Sequence, residues 1–250
     1  MWIIITFFLV HWYLSIFVQT FFLHRYAAHR MFDMSKGWER FFYIFTFISQ
    51  GSSYLSPSSY AKMHRLHHAH ADTEHDPHSP SYSKNLFDMM WKTRRIYLDI
   101  DRDKVDVDNR YTKDLPEWEW FDQFAQSIFV RIAWSLLYVW VYVQFAPNAW
   151  WYLLIPIHIT MGPTHGVIIN WFSHKIGYRN FKSKDTSTNY LPFDFLTIGE
   201  GYHNNHHRYG HKANFGSVRW HEVDITWLII RALNKADIIQ LKPEKVVAAG

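Results

Sequence analysis

The chain has 250 residues, a net charge of +4 and a composition that is 48% hydrophobic and 19% aromatic, with 13 Trp, 15 Tyr and 20 Phe. It has no Cys, which excludes disulfides, iron–sulfur ligation and thiolate zinc sites. The modest positive excess suits membrane orientation rather than nucleic-acid binding, and the 17 His have no generic structural use.

In chain order, residues 2–23 carry no formal charge and are rich in Ile, Leu, Phe, Val and Trp. That is about the ~20 residues a helix needs to cross a hydrocarbon core. A signal peptide fits poorly, because no basic region precedes the stretch and no small-residue cleavage site follows it. Residues 41–55 are apolar but short and end in Ser49, Gln50, Gly51, Ser52 and Ser53, which predicts a re-entrant or interfacial helix. Residues 124–145 are apolar despite Arg131 and two Gln, and residues 150–170 are apolar but broken by Pro156, Gly162 and Pro163. The four residues 146–149 between them predict a helical hairpin. Basic residues concentrate in 57–122 and beyond 171, so both polar segments are expected to face the cytoplasm. The expected architecture is a single all-α integral-membrane domain over 1–250. About three to four membrane helices form a bundle, and a cytoplasmic helical cap comes from 57–122 and 171–250.

Three clusters carry the chemistry. HRYAAHR holds His24 and His29, HRLHH holds His64, His67 and His68, and HNNHH holds His203, His206 and His207. On a helix, positions i, i+3 and i+4 share a face. The second and third clusters are therefore each expected to aim three imidazoles at a common point. The i, i+5 pair of the first lies about 140° apart at ~3.6 residues per turn, and is expected to serve two different metals. Neutral imidazole suits iron, zinc, copper and nickel. A lone His is more often structural, so His11 and His158, inside apolar stretches, read as hydrogen-bonded core residues. His70, His75, His78, His165, His211 and His221 are candidates to orient ligand rings.

These boxes, in this order, resemble the membrane fatty acid desaturases, specifically the acyl-CoA (stearoyl-CoA-type) branch. HRLHHAHADTEHDPHSP is similar to that branch's second box with its acidic tail, GEGYHNNHH to its third, and NWFSHKIGYRNF to a further element in which an Asn precedes a His by four residues. The likeness runs from about Trp2 to about Ala232. It implies two iron ions (Fe2+/Fe3+) held by His24, His29, His64, His67, His68, His174, His203, His206 and His207, with Asn170 holding one metal through a water. Asp76 and Glu200 are candidates to accept the second N–H of ligand rings. Longer members carry a further span before the one that ends in the first box. If Trp2 to Leu23 crosses once, the N-terminus lies outside and residues 41–55 cannot cross completely.

The resemblance implies dioxygen-dependent removal of two hydrogens from a saturated fatty acyl chain, giving a cis double bond nine carbons from the carboxyl. An unactivated methylene is beyond ordinary acid–base side chains, so dioxygen activated at metal must supply the chemistry. The carrier implied is coenzyme A, with Arg65, Lys92, Arg94 and Arg95 as candidate phosphate partners and Trp171 and Tyr202 as candidate tunnel walls. Electrons are expected from a separate cytochrome b5 or ferredoxin, since no HPGG-type haem motif occurs in the chain. A bacterial inner membrane is favoured over the endoplasmic reticulum. The rival within enzymes is a related di-iron hydroxylase or ketolase. The rival of another class, a membrane metal transporter or haem-binding electron carrier, would want its polar ligands deep within the spans.

Overall fold

A computed structural model describes residues 1–243. It is mostly helical, and the expected cap residues 244–250 lie outside the described part. Helix α1 (Trp2–Val18) runs without a break into a π-helical segment, Gln19–Ala28. After a short strand β1 (Phe32–Met34), Ser35 caps α2 (Lys36–Gln50) by accepting from the Trp38 amide. A 3-10 turn at Gly51–Ser53 follows, and Ser56 with Pro57 starts α3 (Pro57–His70), which carries the second box. Asn85 caps α4 (Leu86–Asp101). Ser and Asn in these places supply the side-chain acceptor that the first free amides need.

The membrane layer departs from expectation. Residues 124–127 do not belong to the third apolar stretch, because α5 (Glu119–Gln126) stops there and Ser127 caps a new helix, α6 (Ile128–Phe145). Residues 149–174 form a chain of short pieces, including α7 (Ile155–Ile159) and α8 (Met161–Gly166), bent by 78° near Thr160. Pro156 and Pro163, which donate no amide, lie beside this break. Among the described residues two helices, Trp2–Ala28 and Ile128–Phe145, are long and apolar enough to cross a membrane, or three if the bent pair is one span. The stretch 41–55, expected to be re-entrant or interfacial, falls mostly in α2, whose Phe41, Ile44 and Ile48 are exposed and which stops at Gly51.

Packing at the histidine end of these helices is aromatic. Phe21 and Phe22 of the π segment meet Phe42 of α2 at 4.7 and 5.9 Å between ring centres, and Phe17 meets Phe45 at 6.4 Å. The polar cap closes over them with α9 (His203–Arg208) and α10 (Ile225–Lys235), whose N-cap is Asp224. Strand β2 (Ile239–Leu241) pairs antiparallel with β1, Phe32 opposite Leu241, fastening the chain's late residues beside the first box.

Candidate metal centre

The first box owes its geometry to the π-helical turn. The His29 amide donates to the His24 carbonyl at 3.0 Å, an i to i+5 bond. Such a ladder is wound more widely than an α-helix and brings residues five apart toward one face, so His24 and His29 face the same point. The α-helical expectation that they serve two metals is therefore corrected. Their rings are 4.8 Å apart and join His64, His68 and His206 in one group, while His67, His174, His203 and His207 form a second.

The other boxes, unlike the first, do not converge on a single point. His64 and His68, one turn apart, enter the first group, whereas His67 turns to the second. In the third box His203 and His207 enter the second group and His206 the first. Positions i+3 and i+4 differ by about 100° on a helix, and that difference straddles two neighbouring pockets. The second and third boxes therefore each serve both groups, while their i, i+4 pairs stay together.

Within each group the ligand-type nitrogens of the rings lie within 4.8 Å of one another. Nε2 of His24 is 3.0 Å from that of His206, His29 is 2.9 Å from His64, and His206 is 2.9 Å from His68. In the second group His203 is 3.1 Å from His174, and His67 is 3.3 Å from His207. Ions with metal–nitrogen bonds of ~2.1 Å place neighbouring ligands at right angles about 3 Å apart. The spacing fits that demand. Burial comes first, and then repulsion from neighbouring imidazoles, in holding His29, His64, His67, His68, His203 and His206 well below the usual titration range, hence neutral and able to ligate.

Carboxylates orient the rings from behind. His67 Nδ1 bonds Asp76 at 2.9 Å and His174 Nδ1 bonds Asp72 at 3.1 Å. His24 Nδ1 lies 2.6 Å from Glu200, and His207 Nδ1 lies 3.3 Å from Asp185. With Nδ1–H turned to a carboxylate, Nε2 presents a lone pair. His67 and His207 thus oppose two lone pairs, an arrangement that a cation relieves. Asp76 and Glu200 stand where the sequence suggested, but Asp72 and Asp185 escaped it. Asp72 lies four residues beyond His68, a signal that could have been used; Asp185 has none, being brought in by a loop.

Two arginines that follow box histidines act as struts. Arg25, fully buried, donates to Asp224 at 2.7 Å, to Glu200 at 3.3 Å and to the Ala213 carbonyl at 3.0 Å, with Thr20 also in reach. Its guanidinium lies 3.8 Å over Phe215. Arg65 donates to the carbonyls of Ala27, Ala28, Tyr111 and Lys113, tying α3 to the end of the π segment. That engagement withdraws Arg65 from the phosphate-partner candidates. Lys92 is likewise occupied by Tyr82 and Asp88, while Arg94 stacks on Trp91 and Arg95 is exposed.

The remaining candidates scatter. Asn170 sits in a π turn, Val167–Trp171, one turn before His174. His11 and His158 pair through Nδ1 at 2.6 Å, and His158 reaches Tyr142 at 3.0 Å, as core residues. His78 stacks on His67 at 4.1 Å between ring centres, His165 packs on Trp12, His221 lies near Tyr178, and His70 faces His75. His211 is partly buried. The Tyr202 hydroxyl bonds the Pro192 carbonyl, and Trp171 carries Lys175 over its ring.

Two all-imidazole pockets, backed by carboxylates and set beside helices apolar enough to cross a membrane, define a protein with a candidate dinuclear centre. A fatty acid desaturase family model matches residues 1–239. The chain belongs to the fatty acid desaturase family, whose membrane-bound oxidoreductases make unsaturated fatty acids. It is 33% identical over 235 residues to an sn-1 stearoyl-lipid 9-desaturase of Synechocystis sp., covering 90% of this chain and 68% of that one. The sn-1 stearoyl-lipid 9-desaturase of Anabaena variabilis is 32% identical over 90% of this chain and 78% of its own length. Delta-9 desaturase-like 4 protein of Arabidopsis thaliana is 30% identical over 92% and 73% respectively.

Proposed function

We propose that the chain, acting as one catalytic domain, carries two iron ions and desaturates a fatty acyl chain with dioxygen, inserting a cis double bond at the delta-9 position. The observation that carries this reading is the pair of buried imidazole groups, five rings beside four, each with carboxylate-backed members. His24, His29, His64, His68 and His206 would hold one iron. His67, His174, His203 and His207 would hold the other, with Asn170 positioning a water there. The irons would supply dioxygen activation and the oxidising power that a methylene C–H bond demands. The balanced change is the saturated acyl chain plus dioxygen, two electrons and two protons, giving the cis-unsaturated chain and two waters.

The protein's own share is orientation and exclusion. Asp72, Asp76, Asp185 and Glu200 fix the tautomer and aim of four rings. Tyr60, stacked on His64 at 5.7 Å with the planes 5° apart, shields that ring's face. The acyl chain is chemically uniform, so regiochemistry comes from holding it at one depth beside the rings.

The carrier we favour is a membrane lipid rather than coenzyme A. Two observations support this: the Synechocystis and Anabaena relatives are named for stearoyl-lipid, and Arg65 and Lys92 are already engaged. Electrons would come from a separate cytochrome b5 or ferredoxin. The basic residues at the histidine end support a cytoplasm-facing centre in a bacterial inner membrane. The test is expression in a desaturase-deficient host with fatty acid profiling by lipid class. A delta-9 monoene on intact lipid is expected, and its loss in His64→Ala and His206→Ala. A hydroxylated or keto product would replace desaturation with the rival chemistry, and a product confined to the coenzyme A pool would restore that carrier.

A further inference from the structure

The segment leading into the third box reaches unusually deep. Trp12 lies in the middle of the apolar stretch of α1, and the neighbouring His11 ring is 5.2 Å from Tyr138. Tyr138 stands ten residues into α6, about 15 Å from its start at ~1.5 Å per residue. Trp12 Nε1 donates to the Leu196 carbonyl at 3.0 Å. A non-helical loop of the polar cap therefore descends to the level of the membrane helices.

Its polar groups are provided for in a manner suited to a non-aqueous setting. The buried Asp194 carboxylate accepts from the Thr197 amide at 2.9 Å and hydroxyl at 2.7 Å, and from the Gly199 and Gly201 amides at 2.8 and 2.7 Å. The Ile198 carbonyl accepts from the Thr226 amide and hydroxyl, and the Pro192 carbonyl from Tyr202. Irregular backbone is tolerated at membrane depth only when satisfied from within the protein. The outward side chains are the reverse of polar. Phe193 is 54% exposed, Phe195 62% and Trp220 88%, with Phe193 and Trp220 edge to face at 6.4 Å. Leu228 and Ile229 of α10 are exposed as well, on the helix whose first turn is tied to the loop through Thr226.

We propose that this face of the cap is embedded in the bilayer, with Phe193, Phe195, Trp220, Leu228 and Ile229 in contact with lipid acyl chains. The occupant is lipid rather than a protein because Phe195 adjoins Leu196, whose carbonyl meets Trp12 within the apolar stretch of α1, while Phe193 carries Trp220 and α10 is tied to the same loop through Thr226. The membrane thus touches the cap only five residues before Glu200, which stands behind His24.

The absence of Cys allows a clean test. Phe195→Cys and Leu228→Cys, each singly labelled with an environment-sensitive fluorophore, are placed in nanodiscs containing acyl-chain doxyl lipid. Leu136→Cys on α6 and Arg102→Cys at the end of α4 serve as lipid and water references. Quenching by doxyl lipid to within about twofold of Leu136→Cys, with iodide without effect, is expected. Iodide quenching like that of Arg102→Cys overturns the proposal in favour of a water-exposed patch. Shielding from both quenchers overturns it in favour of a protein partner. Should Phe195→Cys fail to assemble, Leu228→Cys gives the same reading.

Discussion

Asp72 joins two functions that a single substitution separates. One carboxylate oxygen accepts from His174 Nδ1 at 3.1 Å and from the Thr186 amide and hydroxyl at 2.7 and 2.8 Å, while the other accepts from Ser79 at 2.9 Å. Burial works to raise this carboxyl, but the bonds from His174 and Thr186 outweigh it and hold it below the usual range, so it is ionised at neutral pH. Its φ of +57° is a left-handed conformation that Asn also adopts. Asp72→Asn therefore preserves the backbone and one acceptor oxygen but removes the charge that makes His174 a strong donor to metal. Loss of such a partner costs roughly 10–100-fold in metal affinity, or about 1.4–2.7 kcal/mol. Purified protein in lipid, equilibrated against graded chelator, reports iron retained per chain. Two equivalents are expected in the parent, and one of the two, that of the four-imidazole pocket, is released one to two decades earlier in Asp72→Asn. Metal-free melting should stay near that of the parent, whereas Asp72→Ala, which also loses Thr186 and Ser79, should melt lower. Equal weakening of both equivalents, or no shift in either, would refute the reasoning.

Arg25→Gln leaves Glu200 and Asp224 without their buried cation and should cost ~3–5 kcal/mol, read by thermal unfolding in nanodiscs; Arg25→Lys should recover little, because one ammonium cannot span Glu200, Asp224 and the Ala213 carbonyl. Burial raises the Asp122 carboxyl to about 6 from 3.8 despite its bonds from Tyr54 and Ser56. The folded state then binds a proton that the unfolded state releases, so this group's contribution falls as pH rises from about 4 to 6, by up to roughly 3 kcal/mol at ~1.4 kcal/mol per pH unit. Asp122→Asn should flatten that part of the stability–pH curve, and an unchanged slope would assign it to other groups. A Cβ added at Gly51, which has φ +52°, would land on the Tyr138 hydroxyl. Gly51→Ala should therefore lower the melting temperature, and Tyr138→Phe in the same chain should restore part of it; strict additivity would show that the clash is not the cause.

Eight of the nine clustered imidazoles were legible in the sequence because so many His in short clusters have few other uses, while His174 came only from the family resemblance. Their division between pockets was not legible. Whether residues 24–29 wind as an α or a π turn depends on packing around them, including the strut Arg65, which binds the carbonyls at that end. The i, i+5 spacing was visible, but its meaning waited on the ladder. Asp185 was hidden for another reason: its neighbour His207 comes 22 positions later, and only a folded loop joins them. In the membrane layer, hydropathy located the apolar stretches but not the Ser127 cap that ends α5 or the bend beside Pro156 and Pro163, which are local backbone events.

The reach of the Arg25 strut bears on how the molecule is made. Arg25 is made well before its partner Asp224, 199 residues further along, and His206, which faces His24, lies 182 away. Until residues 206–224 have been synthesised, the five-ring pocket lacks a wall and Arg25 lacks its Asp224 partner. Closure of that pocket is thus tied to synthesis of residues 206–224, and a product ending at residue 205 lacks its fifth ring and the Asp224 partner of Arg25.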